Sequence, residues 1–395
     1  MLKTKLSHCF LILIMVCVSI GARSQVTLTN GDHILEVGGL VSTYLNIRPV
    51  KNDASNQSRN KDRFKLRNAQ LALKGVVKDQ LEYQVQVDFA AIGAMGTAEA
   101  DPENPAIMDA FVVYKGLGFM DIKAGYSKLE YSRSSLVPFA SSPYWQRPEL
   151  VRGDLFSRRD VGVTLYSSPV KYVNLSAGVY TGLGEMSLGG DNDASGRFEY
   201  VGRAEFQYPS RYRDRDIDTK ISPVPMFHVG VATRYANKVL PEGETFPDNT
   251  LGAYGMKLIN GKRIGLAFDA AFQYKGFSTQ FELHKLKSTP QSGSDPLLMG
   301  LPVEETKGYF YSGGYFVQAS YFVKPAKIIV SGRYEEMDLN DLVNGNAQRV
   351  SGALAYQFNG TKSMFKFQYF NILKDESIAT NRWKEQFRLG WQYVF

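Results

Sequence analysis

Positively charged side chains that could bind or attract anions are concentrated in residues 127–160. The segment holds six basic residues, Lys128, Arg133, Arg147, Arg152, Arg158 and Arg159, against four acidic ones, Glu130, Glu149, Asp154 and Asp160. Arginine suits oxyanions because its planar guanidinium group can donate hydrogen bonds to two oxygens at once. The segment therefore predicts a site for anions, provided that the surrounding elements bring these side chains together.

The elements around this segment have the two-residue period of β-strands. From residue 381 to residue 395, one face carries Trp383, Phe387, Leu389, Trp391, Tyr393 and Phe395, and the other carries Arg382, Lys384, Gln386, Arg388 and Gln392. Such alternation predicts a strand with one apolar and one wet face. Aromatic residues at the end of the strand are typical of a barrel strand that meets lipid headgroups.

The same alternation recurs along the chain and predicts about sixteen strands. Their spans are 33–48, 62–78, 81–92, 107–116, 119–127, 160–168, 172–183, 197–208, 226–236, 264–275, 277–287, 310–323, 327–338, 347–358, 362–373 and 381–395. Short turns alternate with long polar loops, except that the segment 209–225 is long where a short turn is expected. This pattern predicts an all-β fold, a transmembrane antiparallel β-barrel wide enough for a water-filled lumen. A soluble β-sandwich or propeller is the alternative.

Charged residues on the polar faces of these strands would line the lumen. Eleven are basic, namely Lys65, Arg67, Lys74, Arg203, Arg234, Lys275, Arg333, Lys366, Arg382, Lys384 and Arg388. Six are acidic, namely Glu82, Asp88, Glu205, Asp269, Glu282 and Glu335. Fixed positive charge in a narrow pore raises the local concentration of anions and repels cations. The alternative for any single residue is a solvated wall charge paired with a neighbour.

The segment 127–160 would be the third long loop of this barrel. It also holds Phe139, Tyr144, Trp145 and Phe156, more large apolar groups than an exposed loop needs. We therefore expect the loop to fold into the barrel, where its aromatic residues pack on the wall and its arginines face the passage. The predicted pore and anion-binding residues are Lys65, Arg67, Lys74, Asp88, Lys128, Arg133, Arg147, Arg152, Arg158, Arg159, Arg382, Lys384 and Arg388.

The first 24 residues have the features of a signal peptide. Lys3 and Lys5 precede a short apolar stretch, and a small-x-small cleavage site at residues 22–24 would leave Gln25 as the first residue of a barrel spanning 25–395. Cleavage would lower the formal charge from +7 to +4 and remove both cysteines, Cys9 and Cys17. The mild charge and the absence of a basic run do not suggest a nucleic-acid partner.

Residues for enzymatic chemistry are scarce in the predicted mature chain. His33, His228 and His284 are its histidines, and none lies in a recognisable nucleophile motif. No histidine or cysteine cluster has the spacing of metal ligands. We therefore expect no enzyme, no metal and no cofactor.

Several runs resemble the phosphate- and polyphosphate-selective porins, the porins O and P. They are Phe64–Gly75, Val87–Ala90, Asp109–Val112, Gly125–Lys128 and Arg158–Val163, in the order of that family. The resemblance implies a sixteen-stranded homotrimer in the outer membrane, a third loop that narrows the channel, and a central anion site. Arg67 then matches a strand arginine of that site and Lys128 the lysine that opens the loop, whereas Asp88 and Arg159 match loosely.

The sequence departs from the family pattern at two places. Asn68 stands where the family has a second arginine after Arg67, and residues 129–132 replace the Pro-Phe-Ser that follows the loop lysine. The function we expect is a passive outer-membrane channel that favours small inorganic anions, with phosphate or polyphosphate as candidates. A general porin, or a structural barrel plugged by its loops, is the alternative. Lipid of the outer membrane and two further copies of the chain are the expected partners.

Overall fold

A computed structural model gives the fold, and it describes residues 26–47, 62–93, 105–153, 155–189, 193–209, 215–246, 258–343, 346–375 and 385–395. Helix is sparse in this part of the chain. The α-helices are α1 (Phe89–Ile92), α2 (Arg133–Leu136) and α3 (Val303–Thr306), and 3₁₀ turns lie at Phe139–Ser141, Glu149–Val151, Gly184–Gly189 and Pro296–Leu298. Across these residues, no helix has the length and apolar character needed to cross a membrane.

Strands make up most of the described chain. They are β1 (Val26–Asn30), β2 (His33–Ile47), β3 (Arg63–Val77), β4 (Leu81–Asp88), β5 (Ile107–Tyr114), β6 (Asp121–Lys128), β7 (Arg159–Val170), β8 (Val173–Tyr180), β9 (Glu199–Tyr208), β10 (Met226–Lys238), β11 (Gly261–Tyr274), β12 (Phe277–Pro290), β13 (Phe310–Val323), β14 (Ile328–Asp338), β15 (Ala347–Asn359), β16 (Ser363–Asp375) and β17 (Glu385–Val394).

Strands β2 to β17 form a closed antiparallel barrel of sixteen strands, so the predicted fold is confirmed. Each strand pairs with the next along the chain, and β17 closes the ring by pairing with β2 from Val394↔Leu40 to Phe387↔Ile47. Backbone hydrogen bonds between Gly39 and Phe395 continue this closure to the last residue. Closure leaves no strand edge within the ring, and hence no row of unpaired backbone groups.

One strand of the structure, β1, was not among those predicted from the sequence. The short β1 pairs with the first part of β2, through Val26↔Val37 to Asn30↔His33, after a turn at Gly31 and Asp32. It therefore lies beside β2 just beyond the end of β17. Its five residues carry a weak alternation, and their burial does not alternate because all five are exposed.

Alternation of burial along the strands separates two faces of the wall. In β9, for example, Glu199, Arg203 and Glu205 are buried inside the barrel, whereas Tyr200 and Phe206 are exposed outside. The inside of the barrel is therefore polar and the outside apolar, as a transmembrane barrel requires.

A β-bulge explains why Lys65, Arg67 and Lys74 can share one face although odd and even spacings separate them. The register between β2 and β3 shifts at Ser42 and Thr43, which pair with Asn68 and Leu66, so that Arg67 is the extra residue. Such a bulge inserts one residue and changes the facing of those that follow. Lys65 precedes the bulge, and Asn68 and Gln70 follow it on the inner face.

Short turns connect the strands at one end of the barrel, and long loops connect them at the other end. At the short-turn end, Lys78 and Asp79 both have positive φ, 51° and 54°, as two-residue hairpin turns require. Lys275 lies in another such turn, with φ of 47°, and its ammonium stacks over the Tyr274 ring. The prediction that Lys275 lies on the lumen face of a strand is therefore wrong.

In the connection between β9 and β10, the described residues 215–225 fold inward at the short-turn end. The Asp218 carboxylate accepts hydrogen bonds from the backbone nitrogens of Ser222 and Gly276, and the Asp218 backbone nitrogen donates to Ser278 of β12 at 2.7 Å. Ile217 packs with buried Phe322, Ile329 and Met364 of the inner wall. Part of the unexpectedly long segment 209–225, residues 217–222, thus covers part of the lumen.

Neighbouring residues of β4 test the assignment of the two faces. Val85 is 43% exposed on the outer face, and Gln84 faces the lumen. We expect Val85→Arg to lower the free energy of unfolding by about 2–4 kcal/mol, because a charge then faces hydrocarbon. Gln84→Arg should cost far less. Urea titration of the folded, heat-modifiable band on unheated gels measures both, and equal losses would contradict the assignment.

Candidate functional site

The third loop, residues 129–158 between β6 and β7, crosses the lumen and is held by the opposite wall. Its backbone donates to side chains of three distant strands: Ser134 N to Glu282 of β12 at 3.1 Å, Glu149 N to Glu335 of β14 at 2.6 Å, and Trp145 N to Gln368 of β16 at 2.6 Å. Two of these acceptors are carboxylates, and hydrogen bonds to charged groups are stronger than neutral ones. The loop is therefore fixed within the barrel.

Apolar packing also holds the third loop. Leu129, Leu150, Val151, Leu155 and Phe156 form one buried cluster with inward residues of β8 to β14. Phe156 stacks on His284 with ring centroids 5.1 Å apart, and Tyr131 meets both rings edge-on. Trp145 is fully buried, 5.2 Å from the Tyr44 ring. The predicted inward fold of this loop and the packing of its aromatic residues are confirmed.

Most charged side chains of the wall beneath the third loop are paired. Arg203 binds Asp269 and Glu205, each at 2.7 Å. In the same region, Arg234 binds Glu199 at 2.6 Å and Arg333 binds Glu335 at 2.9 Å. These buried pairs leave little net charge. Together with the apolar cluster, they make this half of the lumen a packed interior. A buried arginine without its carboxylate would instead be strongly destabilising.

The other half of the lumen contains a cavity of about 540 Å³ between the third loop and strands β2 to β6. Basic residues predominate among the charged side chains that line it. The seven basic ones are Lys74, Lys123, Lys128, Arg147, Arg158, Arg159 and Lys362, and the three acidic ones are Glu36, Asp109 and Glu130. The cavity therefore carries the excess of positive charge that the sequence led us to expect in the lumen.

Four of these basic residues are gathered where the third loop leaves and rejoins the wall. Lys128 ends β6 and donates to the Leu136 carbonyl at 3.2 Å, and Arg147 donates to the carbonyls of Ser134 and Val137. Arg158 donates to the Ser135 hydroxyl at 3.3 Å, whereas Arg159 pairs with Asp109 at 3.2 Å. Within the described residues, Lys128 forms no ion pair. Neutral acceptors position a cation without cancelling its charge.

Side-chain amides continue the lining along β3 and β4. Asn68 and Gln70 donate to the buried Asp88 carboxylate at 2.8 and 3.0 Å, and Gln86 donates to the Gln70 oxygen at 2.9 Å. Asp88 also accepts the backbone nitrogen of Ala69 at 3.0 Å. Asp88 thus does not line the cavity but orients the amides that do. Sequence reasoning did not select these amides, although Gln84 and Gln86 stand at alternate positions of β4.

The structure brings five of the predicted site residues to this cavity. They are Lys74, Lys128, Arg147, Arg158 and Arg159. Arg67 lies beside it, with its guanidinium group over the Phe139 ring at 5.4 Å; Arg147 and Lys366 approach the same ring at 5.4 and 5.5 Å. Sequence reasoning missed Lys123, which faces the lumen from β6 between the Phe111 and Tyr166 rings.

Other predicted site residues lie elsewhere. Arg133 donates to Gln280 at 2.6 Å, Arg152 pairs with Glu149 at 2.8 Å, and Arg388 donates to Gln146 at 2.6 Å, so these three anchor the loop to itself or to the wall. Lys65 is half-buried near the long-loop end of β3. Arg382 and Lys384 lie outside the described residues.

A second cavity, of about 720 Å³, continues the lumen toward the short turns and shares Phe111, Lys123 and Glu130 with the first. It is lined by four acidic residues, Glu82, Asp121, Glu130 and Glu205, against Lys115 and Lys123. Several of these acids have partners: Lys115 binds Glu82 at 2.5 Å, Arg203 binds Glu205, and the Tyr166 hydroxyl donates to Glu130 at 2.8 Å. Lys123 therefore lies where a basic region meets a partly neutralised acidic one.

The described residues hold no group of three or more histidine, cysteine or acidic side chains that could bind a metal ion. In the third loop, burial raises the pKa of Tyr144 to about 12, so this phenol stays neutral at ordinary pH beneath the Arg333 guanidinium group. What the site offers is thus a lining of cations and amides.

Comparisons with known proteins agree with the fold. A family model described as phosphate-selective porin O and P matches residues 41–395. OmpF of Salmonella typhi is similar in structure, with a TM-score of 0.57 and 14% identity over 94% of this chain and 100% of that one. OmpT of Vibrio cholerae has a TM-score of 0.56 and 11% identity over 94% and 100%.

DcaP of Acinetobacter baumannii, an outer-membrane channel, has a TM-score of 0.53 and 13% identity over 93% of this chain and 99% of its own. No curated protein sequence matches the chain.

Removing the carboxylates that hold the third loop should loosen it. We expect Glu335→Ala combined with Glu282→Ala to increase single-channel conductance and its fluctuations, because two of the three backbone donors of the loop lose charged acceptors. Glu82→Ala, which breaks the pair with Lys115 in the second cavity and touches no anchor of the third loop, is the control and should add no fluctuations. Planar-bilayer recording measures both, and a quiet, unchanged channel in the double variant would contradict this anchoring.

Proposed function

Because the chain belongs to the family of the phosphate-selective porins O and P and is therefore a channel rather than an enzyme, we propose that it conducts solutes passively and favours anions. Phosphate-like oxyanions are the candidate solutes. The observation that carries this proposal is the excess of seven basic over three acidic side chains in the cavity beside the third loop. The packed half of the lumen contributes less, because Arg203, Arg234 and Arg333 are paired with carboxylates there.

This excess of basic side chains attracts anions more strongly in a narrow passage than it would in bulk water. Two unit charges 4 Å apart interact by about 4 kcal/mol at the effective dielectric constant of a protein surface, against about 1 kcal/mol in bulk water. The third loop confines ions to one side of the lumen, where Lys128 and Arg147 lie within reach. In the wider second cavity, salt screens charges over about 8 Å at physiological ionic strength, and most of the acids have partners. The basic cavity beside the third loop therefore dominates the ion preference.

Phosphate selectivity is supported by the kind of groups present. Lys128, Arg158 and Arg159 supply ammonium and guanidinium donors near one another, and oxyanions accept such donors well. A general porin is the second candidate, favoured by Glu130: its carboxylate lies 3.8 Å from the Lys123 ammonium, where it lowers the positive charge, and it belongs to the residues 129–132 that depart from the family pattern.

Bilayer recordings in a salt gradient test the proposal. The reversal potential of the wild type should indicate anion preference, and millimolar or lower phosphate should reduce chloride current. Lys128→Ala and Arg67→Ala should each move the reversal potential toward the nonselective value, because Lys128 lines the cavity beside the third loop and Arg67 lies next to it. Arg152→Gln is the matched control, since this arginine of the same loop lies away from the cavity.

Each outcome of the recordings has a clear meaning. A cation-selective wild type, or unchanged reversal potentials in both alanine variants, would overturn the proposed selectivity. Selectivity without block by phosphate would leave the general anion-preferring porin. A protein without conductance steps would support the alternative of a barrel plugged by its loops.

Assembly and processing complete the proposal. Residues 1–24 act as a signal peptide for a porin of the outer membrane, and the mature chain forms a homotrimer. OmpT of Vibrio cholerae, described in a trimer form, is similar in structure with a TM-score of 0.55 and 11% identity over 92% of this chain and 99% of that one. Native mass spectrometry should give three copies of a chain beginning at Gln25, and a monomer or an uncut chain would contradict either part.

A further inference from the structure

Three lysines lie on the outer wall of the barrel at the long-loop end. Lys262 belongs to β11, and Lys285 and Lys287 belong to β12. Their inward neighbours, among them Arg263, His284 and Leu286, are buried in the lumen, so alternation places the lysines outside. In a transmembrane barrel this surface faces lipid or a neighbouring barrel, and the long-loop end is the extracellular one.

Strand register places the three lysines together. Lys287 pairs with Ile264 and Lys285 with Leu266, so Lys262 is the diagonal neighbour of Lys287. Diagonal neighbours on one face are about 7–8 Å apart, and Lys285 and Lys287, two residues apart on one strand, are separated by about 7 Å. Lys262 and Lys285 are about 14 Å apart by the same register, so a headgroup that reaches all three long side chains must be a large one, such as one that carries two phosphates.

Aromatic rings hold the ammonium groups without neutralising them. Lys262 lies over the Tyr235 ring at 5.7 Å, Lys285 over Tyr311 at 4.6 Å, and Lys287 over Tyr309 at 3.7 Å. Within the described residues none of the three lysines forms an ion pair, whereas Arg203, Arg234 and Arg333 on the lumen side are paired with carboxylates. The positive charge of this lysine cluster (Lys262, Lys285, Lys287) therefore remains available.

The nearest outward acids are engaged elsewhere. Glu336 of β14 accepts hydrogen bonds from Tyr315, Tyr334 and Asn346, at 3.2, 3.2 and 2.9 Å. Lys285 and Asp338 both pair with Gly313, so Asp338 lies two strands from Lys285, about 10 Å away. Its carboxylate accepts a hydrogen bond from the Asn340 backbone nitrogen. Asp341 accepts the Tyr311 nitrogen at 2.7 Å.

An apolar surface continues from the lysine cluster toward the middle of the membrane. Ile264, Leu266 and Phe268 of β11 and Leu283 of β12 are exposed on the same outer face. The combination suits an amphiphile whose anionic group meets the lysines and whose acyl chains cover these side chains. The inward charges of the same strands lie on the opposite face of the wall.

We propose that Lys262, Lys285 and Lys287 bind the phosphate-bearing headgroup of a lipid in the outer leaflet, with its acyl chains packed on Ile264, Leu266 and Leu283. This lipid site is separate from the pore, since the wall of the barrel lies between them. Each lysine near a membrane surface strengthens binding of an anionic lipid by about fivefold, and three together by about a hundredfold.

Binding of defined lipids to the purified, detergent-solubilised protein tests the site. The probes are diphosphorylated lipid A, the same lipid without phosphates, and inorganic phosphate. We expect the lipid with phosphates to bind the wild type about a hundredfold more tightly than it binds the triple variant Lys262→Gln, Lys285→Gln, Lys287→Gln. The reversal potential of that variant should stay at the wild-type value, so the site and the pore are tested separately.

A matched control removes the same charge at the short-turn end, through Lys171→Gln, Lys324→Gln and Lys327→Gln, and should bind lipid like the wild type. Equal lipid binding by the two triple variants would overturn the proposal. So would equal binding of the phosphate-free lipid, or displacement of the lipid by inorganic phosphate alone. Loss of the oligomer with lipid binding intact would instead assign the lysine cluster to a contact between copies.

Discussion

Every backbone N–H and carbonyl group that crosses the bilayer must find its hydrogen-bond partner within the protein. Hydrocarbon offers no partner for an exposed N–H or carbonyl group, so a sheet that crosses it must close on itself. Here β17 pairs with β2, and the backbone of Gly39 exchanges hydrogen bonds with Phe395 to extend the closure. Once the ring is closed, alternate side chains must face lipid and lumen. This alternation determines which side chains of the strands line the pore.

The third loop turns a symmetric ring into an asymmetric pore. Its backbone nitrogens donate to Glu282 and Glu335, and its apolar residues cover the wall from β8 to β14. Arg203, Arg234 and Arg333 beneath it are paired with carboxylates, since an unpaired charge in such a packed interior would be costly. The space that remains for solutes is lined by β2 to β6. There, basic side chains at the ends of the third loop lie beside amides that Asp88 orients.

Much of this architecture could be predicted from sequence, because a two-residue period is a local property. The sixteen strands of the ring, the long third loop and its inward fold all followed from alternation and from aromatic residues at Trp145 and Phe156. What could not be predicted depends on distant pairing. The bulge at Arg67 is visible only in the register with β2, and the pairing of β1 requires the exact end of β17.

The site was predictable in kind and only partly in detail. Lys128, Arg147, Arg158 and Arg159 do meet at one cavity, whereas Arg133 and Arg152 of the same loop bind Gln280 and Glu149. Sequence shows that a loop is rich in arginine, but which arginines face water depends on where the loop crosses the lumen. Lys123 was missed for a related reason, since β6 is short and its alternation is interrupted by Gly125, which has φ of 125°.

A thiol placed inside the passage beside the third loop would show whether that passage concentrates anions. Ala72 lines the cavity, and both native cysteines lie in the predicted signal peptide, so Ala72→Cys would report alone. Methanethiosulfonates of similar size bearing a sulfonate or a trimethylammonium group should modify it at different rates relative to a free thiol. If anions are concentrated there, the anionic reagent is favoured by about tenfold or more at low salt, and salt weakens this preference. Equal rates, or a faster cationic reagent, would contradict it.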